Sequence, residues 1–427
     1  MKKLLVGLSL LATQIVASET IYLKDLVRLT LQNSPDINVS LNSYEISQKE
    51  IDVAGSFYLP RIDVSASVGS NGASGKNNSI SGAKSLSNAG VSASQLIYDF
   101  GKTTGNIGVT EFDSNASFSQ YQQLISNKIR DVKVAYYSVL QQSALINVHK
   151  KNVELNKRQL IRSERYFNAG IKTKIDVSDG KVSLLKSQLD VQNSIYDARL
   201  AKVELQTIVG VLEDKDLSGL YVEELDNIYE LSRHLEPLTE SILESETFAY
   251  SNRHDVLSQK MGIKSKEESI KSASAGYYPE FKMNANYNHQ NNDLQAFLPE
   301  NQWQATFDVK WNFYEGSATS SKVEQSQIAL LQSTSLLRST LLDVKQEIDL
   351  AYINVQKSKD ALVLNESISM VSKEKFIQSQ QRYENGLSDY IELQEARQSY
   401  ITSLTNTVIS YYDYYIALAE LERSKGN

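Results

Sequence analysis

Two hydrophobic patterns take turns along this chain, one with a period of two and one with a period of seven. Residues 302–313 set Trp303, Ala305, Phe307, Val309, Trp311 and Phe313 against polar neighbours, which predicts a strand with a single apolar face. Residues 281–288 alternate likewise through Phe281, Met283, Ala285 and Tyr287, as do Ile62, Val64, Ala66 and Val68. A fourth strand is predicted over 90–98, where the alternation breaks at Gln95. Elsewhere the period is that of a coiled coil: Leu337, Leu341, Val344, Ile348, Ala351, Val355 and Leu362 form a heptad seam, and Ile125 to Val139 and Ile401 to Leu418 repeat it.

Breakers bound the helical stretches. The chain has five prolines, and no Gly or Pro occurs in the 61 residues between Gly108 and Gly170 or the 69 between Gly316 and Gly386. As helices these would be about 90 and 100 Å long, beyond the needs of a compact globular domain. Each terminating glycine is followed by a second helical stretch, 171–209 (with Gly180 inside it) and 387–425, so two long hairpins are predicted. Shorter helices are expected at 36–56 and 252–275, and polar loops at 70–89 and 289–301.

The halves match at an offset of about 217: Tyr58-Leu59-Pro60 with Tyr277-Tyr278-Pro279, Ile97-Tyr98-Asp99 with Phe313-Tyr314-Glu315, and Arg165-Tyr166 before Gly170 with Arg382-Tyr383 before Gly386. A duplicated unit follows, of short helix, two strands, long helix, tip and shorter helix. The organisation is a signal peptide at 1–18, a first repeat at 19–210, a linker at 211–250 and a second repeat at 251–427. In the signal, Lys2 and Lys3 precede an apolar run from Leu4 to Val16 and the small residues Ala17 and Ser18, which directs the mature chain across the inner membrane of a two-membrane bacterium. No later segment has the 18 consecutive apolar residues of a membrane helix.

Composition removes several function classes. There is no cysteine, so neither disulfide nor thiol chemistry is available. His149, His234, His254 and His289 are scattered without metal-ligand spacing. The net charge of −7 disfavours nucleic acid as a partner, since phosphate contacts need basic patches. Asp99-Phe100-Gly101 imitates a kinase metal-binding tripeptide without the catalytic loop, and Gly101-Lys102-Thr103 imitates a phosphate loop but has Leu96 where glycine is required. No enzyme and no cofactor is expected. Four strands cannot close a barrel and open edges are not tolerated in lipid, so the chain must oligomerise if its strands span a membrane. A secreted coiled-coil rod without a pore is the alternative, and dependence on detergent for extraction separates the two.

The duplication, the Arg-Tyr pairs ahead of the tip glycines and the Tyr-x-Pro leads into the strands make the sequence resemble the TolC family of outer-membrane efflux and secretion channels over nearly all the mature chain. That resemblance implies a homotrimer: a 12-stranded β-barrel in outer-membrane lipid, continued by a periplasmic α-helical barrel with an equatorial belt. It also implies a passive exit duct working with a periplasmic adaptor protein and an inner-membrane pump or ABC exporter. Glu392 and Glu395 fall at the family's acidic pore constriction. Asp176, Tyr166, Tyr383 and Ser388 fall at its closing links, with Ser388 where a basic residue is expected and Lys172 and Lys174 as substitute cations. Gly170 and Gly386 mark the tips that dock the adaptor. The acid-rich belt segment 211–247 is read as a solvated face.

Overall fold

The computed structural model describes residues 21–71, 84–211, 227–238, 240–292 and 301–426. The signal segment and parts of the 70–89, 211–250 and 289–301 segments lie outside the described residues. Within them the chain forms α1 (Leu23–Asn33), α2 (Pro35–Gly55), β1 (Arg61–Asn71), β2 (Lys84–Tyr98), α3 (Lys102–Asn168), α4 (Lys174–Val209), α5 (Ile242–Asn252), α6 (His254–Ser274), β3 (Glu280–Asn292), β4 (Asn301–Lys310), α7 (Ala318–Glu384) and α8 (Tyr390–Lys425). The protein is mainly helical, with one sheet.

The duplication is dimensional. Both long helices have 67 residues and both return helices 36. Their limits lie 216 positions apart throughout: 102 and 318, 168 and 384, 174 and 390, 209 and 425. Matching the Arg-Tyr pairs, at 217, is therefore one position out of step with the helices. Counted from the tip glycine, Arg382 stands level with Tyr166, and Tyr383 with Phe167.

Packing divides the chain into two compact units, each drawing on both repeats. The first comprises residues 39–122 and 254–342 and contains the sheet. Its strands follow the order β1-β2-β3-β4, all antiparallel, leaving β1 and β4 as edges. The register keeps the apolar positions together: Val64 faces Val91, Val91 faces Tyr287 and Tyr287 faces Trp303, while Met283 faces Phe307. The side so formed is exposed, with Val64 at 78% and Trp303 at 80%. Gln95 sits on that same side opposite Met283, and its amide donates to the carbonyls of Tyr58 and Leu96. The break in alternation is thus a polar tie to the turn that precedes β1, next to a bulge at Leu96/Tyr98.

Three sequence expectations shift here. Residues 84–89 and 289–292, read as loop, belong to β2 and β3, because the ladder is made by the backbone and does not require apolar side chains. Residues 311–313, read as strand, leave the sheet after Lys310, and the Trp311 indole donates to the Tyr277 carbonyl at 3.1 Å. The first long helix begins at Lys102, before Gly105 and Gly108. A Cβ on Gly105 would meet the Ser272 backbone nitrogen at 2.8 Å, and one on Gly108 would meet Glu268 at the same distance, so these glycines mark close approach to α6. Asp99, from the kinase look-alike, caps this helix start: its carboxylate accepts from the Gly101 and Thr103 amides and from the Thr103 hydroxyl.

The second unit comprises residues 21–38, 123–253 and 343–426 within the described chain. Its core joins Leu26 of α1, Val132 and Val139 of α3, Leu205 and Val209 of α4, and Ile401, Leu404 and Val408 of α8. Each such side chain contributes about 1.5–3 kcal/mol by burial. Arg253, 3% exposed, donates to Glu347 of α7 and to the Ser424 carbonyl, holding the end of α8. In contrast, α4 leaves Val182, Leu185, Leu189, Tyr196, Leu200 and Val203 exposed at steps of 3, 4, 7, 4 and 3, a heptad seam without a partner among the described residues.

Candidate functional site

The two hairpin turns carry the residues singled out from the sequence, and they close by one rule. Gly170 and Gly386 both adopt φ 72°. The amide beyond each bonds back over a turn, Ile171 to the Tyr166 carbonyl and Leu387 to the Arg382 carbonyl, both at 2.9 Å. This is the left-handed helix stop that glycine adopts without a Cβ penalty. A capping residue then restarts the chain: Thr173 accepts from the Asp176 amide, and Asp389 from the Glu392 amide.

Asp176 and Glu392 therefore hold the same position, three residues into the return helices, and use it differently. The Asp176 carboxylate turns back to accept from the Thr173 amide at 3.0 Å and the Thr173 hydroxyl at 2.8 Å, completing a capping box. No hydrogen bond links it to Tyr383 among the described residues. The Glu392 carboxylate instead lies 3.2 Å from Arg382 Nε. Glu395 lines a groove of about 410 Å³ between α7 and α8, with Asn365, Gln398, Ser399 and Thr402. The two glutamates thus stand in different electrostatic settings, one beside a cation and one among neutral polar groups.

Tyr383 is fully buried. Burial raises its pKa, with Ser163 acting in the opposite direction and the Asp176 charge adding to the rise. Lys172 sits over its ring, 4.8 Å from the centroid, a cation–π contact across the two hairpins. Tyr166 is half-buried, and its hydroxyl donates to the Glu384 carbonyl at 3.4 Å. The Ser388 hydroxyl is enclosed without a hydrogen-bond partner.

Near the turns, a charged link between the hairpins is one that sequence reasoning missed: Arg162 of α3 pairs with Glu384 of α7. Gln380 also donates to that carboxylate at 2.8 Å. The Tyr390 hydroxyl adds a bond to Ser183 of α4 at 3.2 Å. Arg162 and Glu384 stand eight and two residues ahead of their glycines, so aligning the two tips does not bring them together. Among the described residues no group of His, Asp and Glu could hold a metal ion, and no helix is long and apolar enough to cross a membrane.

A family model described as outer membrane efflux protein matches residues 26–211 and 248–427. The chain belongs to the outer membrane efflux protein family. Outer membrane protein TolC of Vibrio cholerae is 21% identical to it over 403 residues, covering 92% of this chain and 88% of that protein. Outer membrane efflux protein BepC of Brucella suis is 20% identical, covering 84% and 74%. Among solved structures, the outer membrane protein VceC of Vibrio cholerae superposes with a TM-score of 0.79 at 15% identity, covering 95% of this chain and 96% of that one. The CmeC outer membrane channel of Campylobacter jejuni gives 0.80 at 15%, covering 95% and 85%. These likenesses establish the fold. As a member of the family, this efflux protein works as a channel in the outer membrane with a periplasmic portion, and its relatives are channels rather than enzymes.

Proposed function

We propose that three copies of the chain assemble into a 12-stranded barrel continued by a helical tunnel, and that this tunnel is the passive exit duct of a tripartite efflux pump or type I secretion system. The observation that carries the reading is the sheet itself: one apolar side kept in register across four strands and left exposed, with both edge strands free. In lipid such edges require closure, and four strands fall short of a barrel. The unpartnered heptad seam of α4 calls for a neighbouring helix in the same way. Two repeats, 19–210 and 251–427, joined by a linker at 211–250, supply each copy's share.

The hairpin turns form the periplasmic gate in this reading. Arg162–Glu384, Lys172 over Tyr383 and Tyr166 to Glu384 hold the hairpins together, and Glu395 with Glu392 supplies the acidic constriction. Exposed aliphatic pairs at matching places, Ile171 and Ile175 on one turn and Leu387 and Ile391 on the other, offer an adaptor protein an apolar grip beside Gly170 and Gly386. An inner-membrane pump or ABC exporter provides the energy. Mass measurement of the detergent-extracted protein tests the assembly: three copies are expected, and a stable monomer, or release without detergent, would overturn it in favour of a coiled-coil rod.

A further inference from the structure

The two repeats build their strand pairs to one register. The β1–β2 ladder starts with Arg61 opposite Ser94, and the β3–β4 ladder with Glu280 opposite Lys310. Position 280 lies 219 beyond 61, and 310 lies 216 beyond 94, so β3 is the second β1 and β4 the second β2, residue for residue. A side-chain tie repeats with them. Gln95 donates to the Tyr58 carbonyl and Trp311 to the Tyr277 carbonyl, and the same offsets, 216 and 219, carry one bond onto the other.

The strand ends break the match. β2 runs on to Tyr98, past its last partner on β1, because Gln95, Leu96 and Tyr98 pair with Met283, Lys282 and Phe281 of β3. The equivalents on β4 are residues 311–314, and there the strand stops at Lys310, opposite the first residue of β3. Alternation nonetheless continues through Trp311 and Phe313, and Phe313 and Tyr314 are 83% and 84% exposed. β2 has a strand on each side, whereas β4 has β3 alone. What β4 lacks is the pairing that β3 gives to β2.

Carrying the β2–β3 register onto the two edges therefore describes a seam between copies. Val91 opposite Tyr287 becomes Phe307 opposite Val68, and Ala93 opposite Ala285 becomes Val309 opposite Ala66. Leu96 opposite Lys282 becomes Asn312 opposite Asp63. The exposed apolar rows of β1 and β4 fall on one side of this seam and the polar rows on the other.

We infer that β1 of one copy and β4 of the next pair antiparallel in the register of β3 with β2, Ala66 opposite Val309, and that residues 311–314 join β4 as strand only when that partner is in place. This rests on the assembly proposed above and adds its register and the segment that assembly converts to strand. The second copy is the occupant because the chain already makes this seam once, between its own repeats, and the backbone groups of an open edge have no other partner in lipid.

The chain has no cysteine, so introduced pairs report the seam without background. Opposite residues alternate between closer and wider pairs along an antiparallel ladder, so one pair is taken from each side: Ala66→Cys with Val309→Cys, and Asp63→Cys with Asn312→Cys. Oxidation of the detergent-extracted full chain should join neighbouring copies through at least one of them. Val309→Cys with Ile62→Cys or with Ser70→Cys, displaced by four residues or about 13 Å, should not link. In the unsubstituted protein the amides of residues 312–314 should exchange with deuterium as slowly as those of 96–98, a measurement that needs no variant to fold. Three-copy assemblies in which the displaced pairs link, or none do, or in which 312–314 exchange rapidly, would overturn the inference and leave the assembly standing. A mass of one chain would remove both.

Discussion

Arg382 Nε lies 3.2 Å from Glu392 Oε1, so one of the two carboxylates expected to ring the pore has a cation of its own chain beside it. Both side chains are about half exposed, and such a pair adds little stability. In the proposed constriction its effect is on the field, where Glu395 then supplies the uncompensated charge. In planar bilayers Glu395→Ala should reduce cation selectivity more than Glu392→Ala, and Arg382→Ala should increase it. Equal losses from the two glutamates would show that Arg382 leaves Glu392 uncompensated.

The proposed closing links divide into those that join hairpins and one that builds a helix. Arg162→Ala with Tyr166→Phe should raise single-channel conductance, because both contacts cross from α3 to Glu384. Asp176→Ala should act instead on stability, by about 1 kcal/mol through loss of the capping box, read from the thermal midpoint of the trimer. A conductance rise from Asp176→Ala alone would place it among the links.

Phe307 and Thr306 stand on opposite sides of β4, paired with Met283 and Asn284. Phe307→Arg should impair membrane assembly by about 2–4 kcal/mol, whereas Thr306→Arg on the polar side should be tolerated. Heat-stability of the assembled protein on gels measures both, and equal effects would reverse the assignment of the sides.

His254 opens α6 and is partly buried, and this desolvation holds its pKa below the ordinary 6.5, with Asp255 opposing. The folded state then binds its proton less readily than the unfolded chain. Stability is therefore fully present above 6.5 and is lost as pH falls through 6.5 toward the lower folded value. His254→Gln should flatten that acid-side loss in thermal midpoint, and an unchanged profile would assign the acid sensitivity to other groups.

Much of this was legible in the sequence because it rests on short-range rules. Strict alternation placed Phe307 and Trp303 on one side, and the scarcity of breakers marked α3 and α7 as long helices. The failures share a cause in backbone geometry. Gly105 and Gly108 look like helix breakers until α6 is seen packed against them. Ser87, Asn88 and Ala89 look like loop until the ladder is seen. The Arg162–Glu384 pair spans 222 residues and joins two elements whose relative rotation no local pattern encodes. At the turns, Asp176 was assigned by the family resemblance, which fixes its place on the helix but not whether its carboxylate turns to the cap or to the neighbouring hairpin.

The sheet's outer strands are unlike: β1 carries Val64, Ala66 and Val68 between serines, and β4 carries Trp303 and Phe307 between amides and Asp308. A cylinder made from such sheets joins β4 of one copy to β1 of the next, a head-to-tail contact in which no edge meets its own kind. Damage to one edge therefore leaves an intact neighbour with an unmet strand. In a cell making both forms, alleles that spoil β1 or β4 while sparing the helices would be dominant, and alleles that abolish the chain would be recessive.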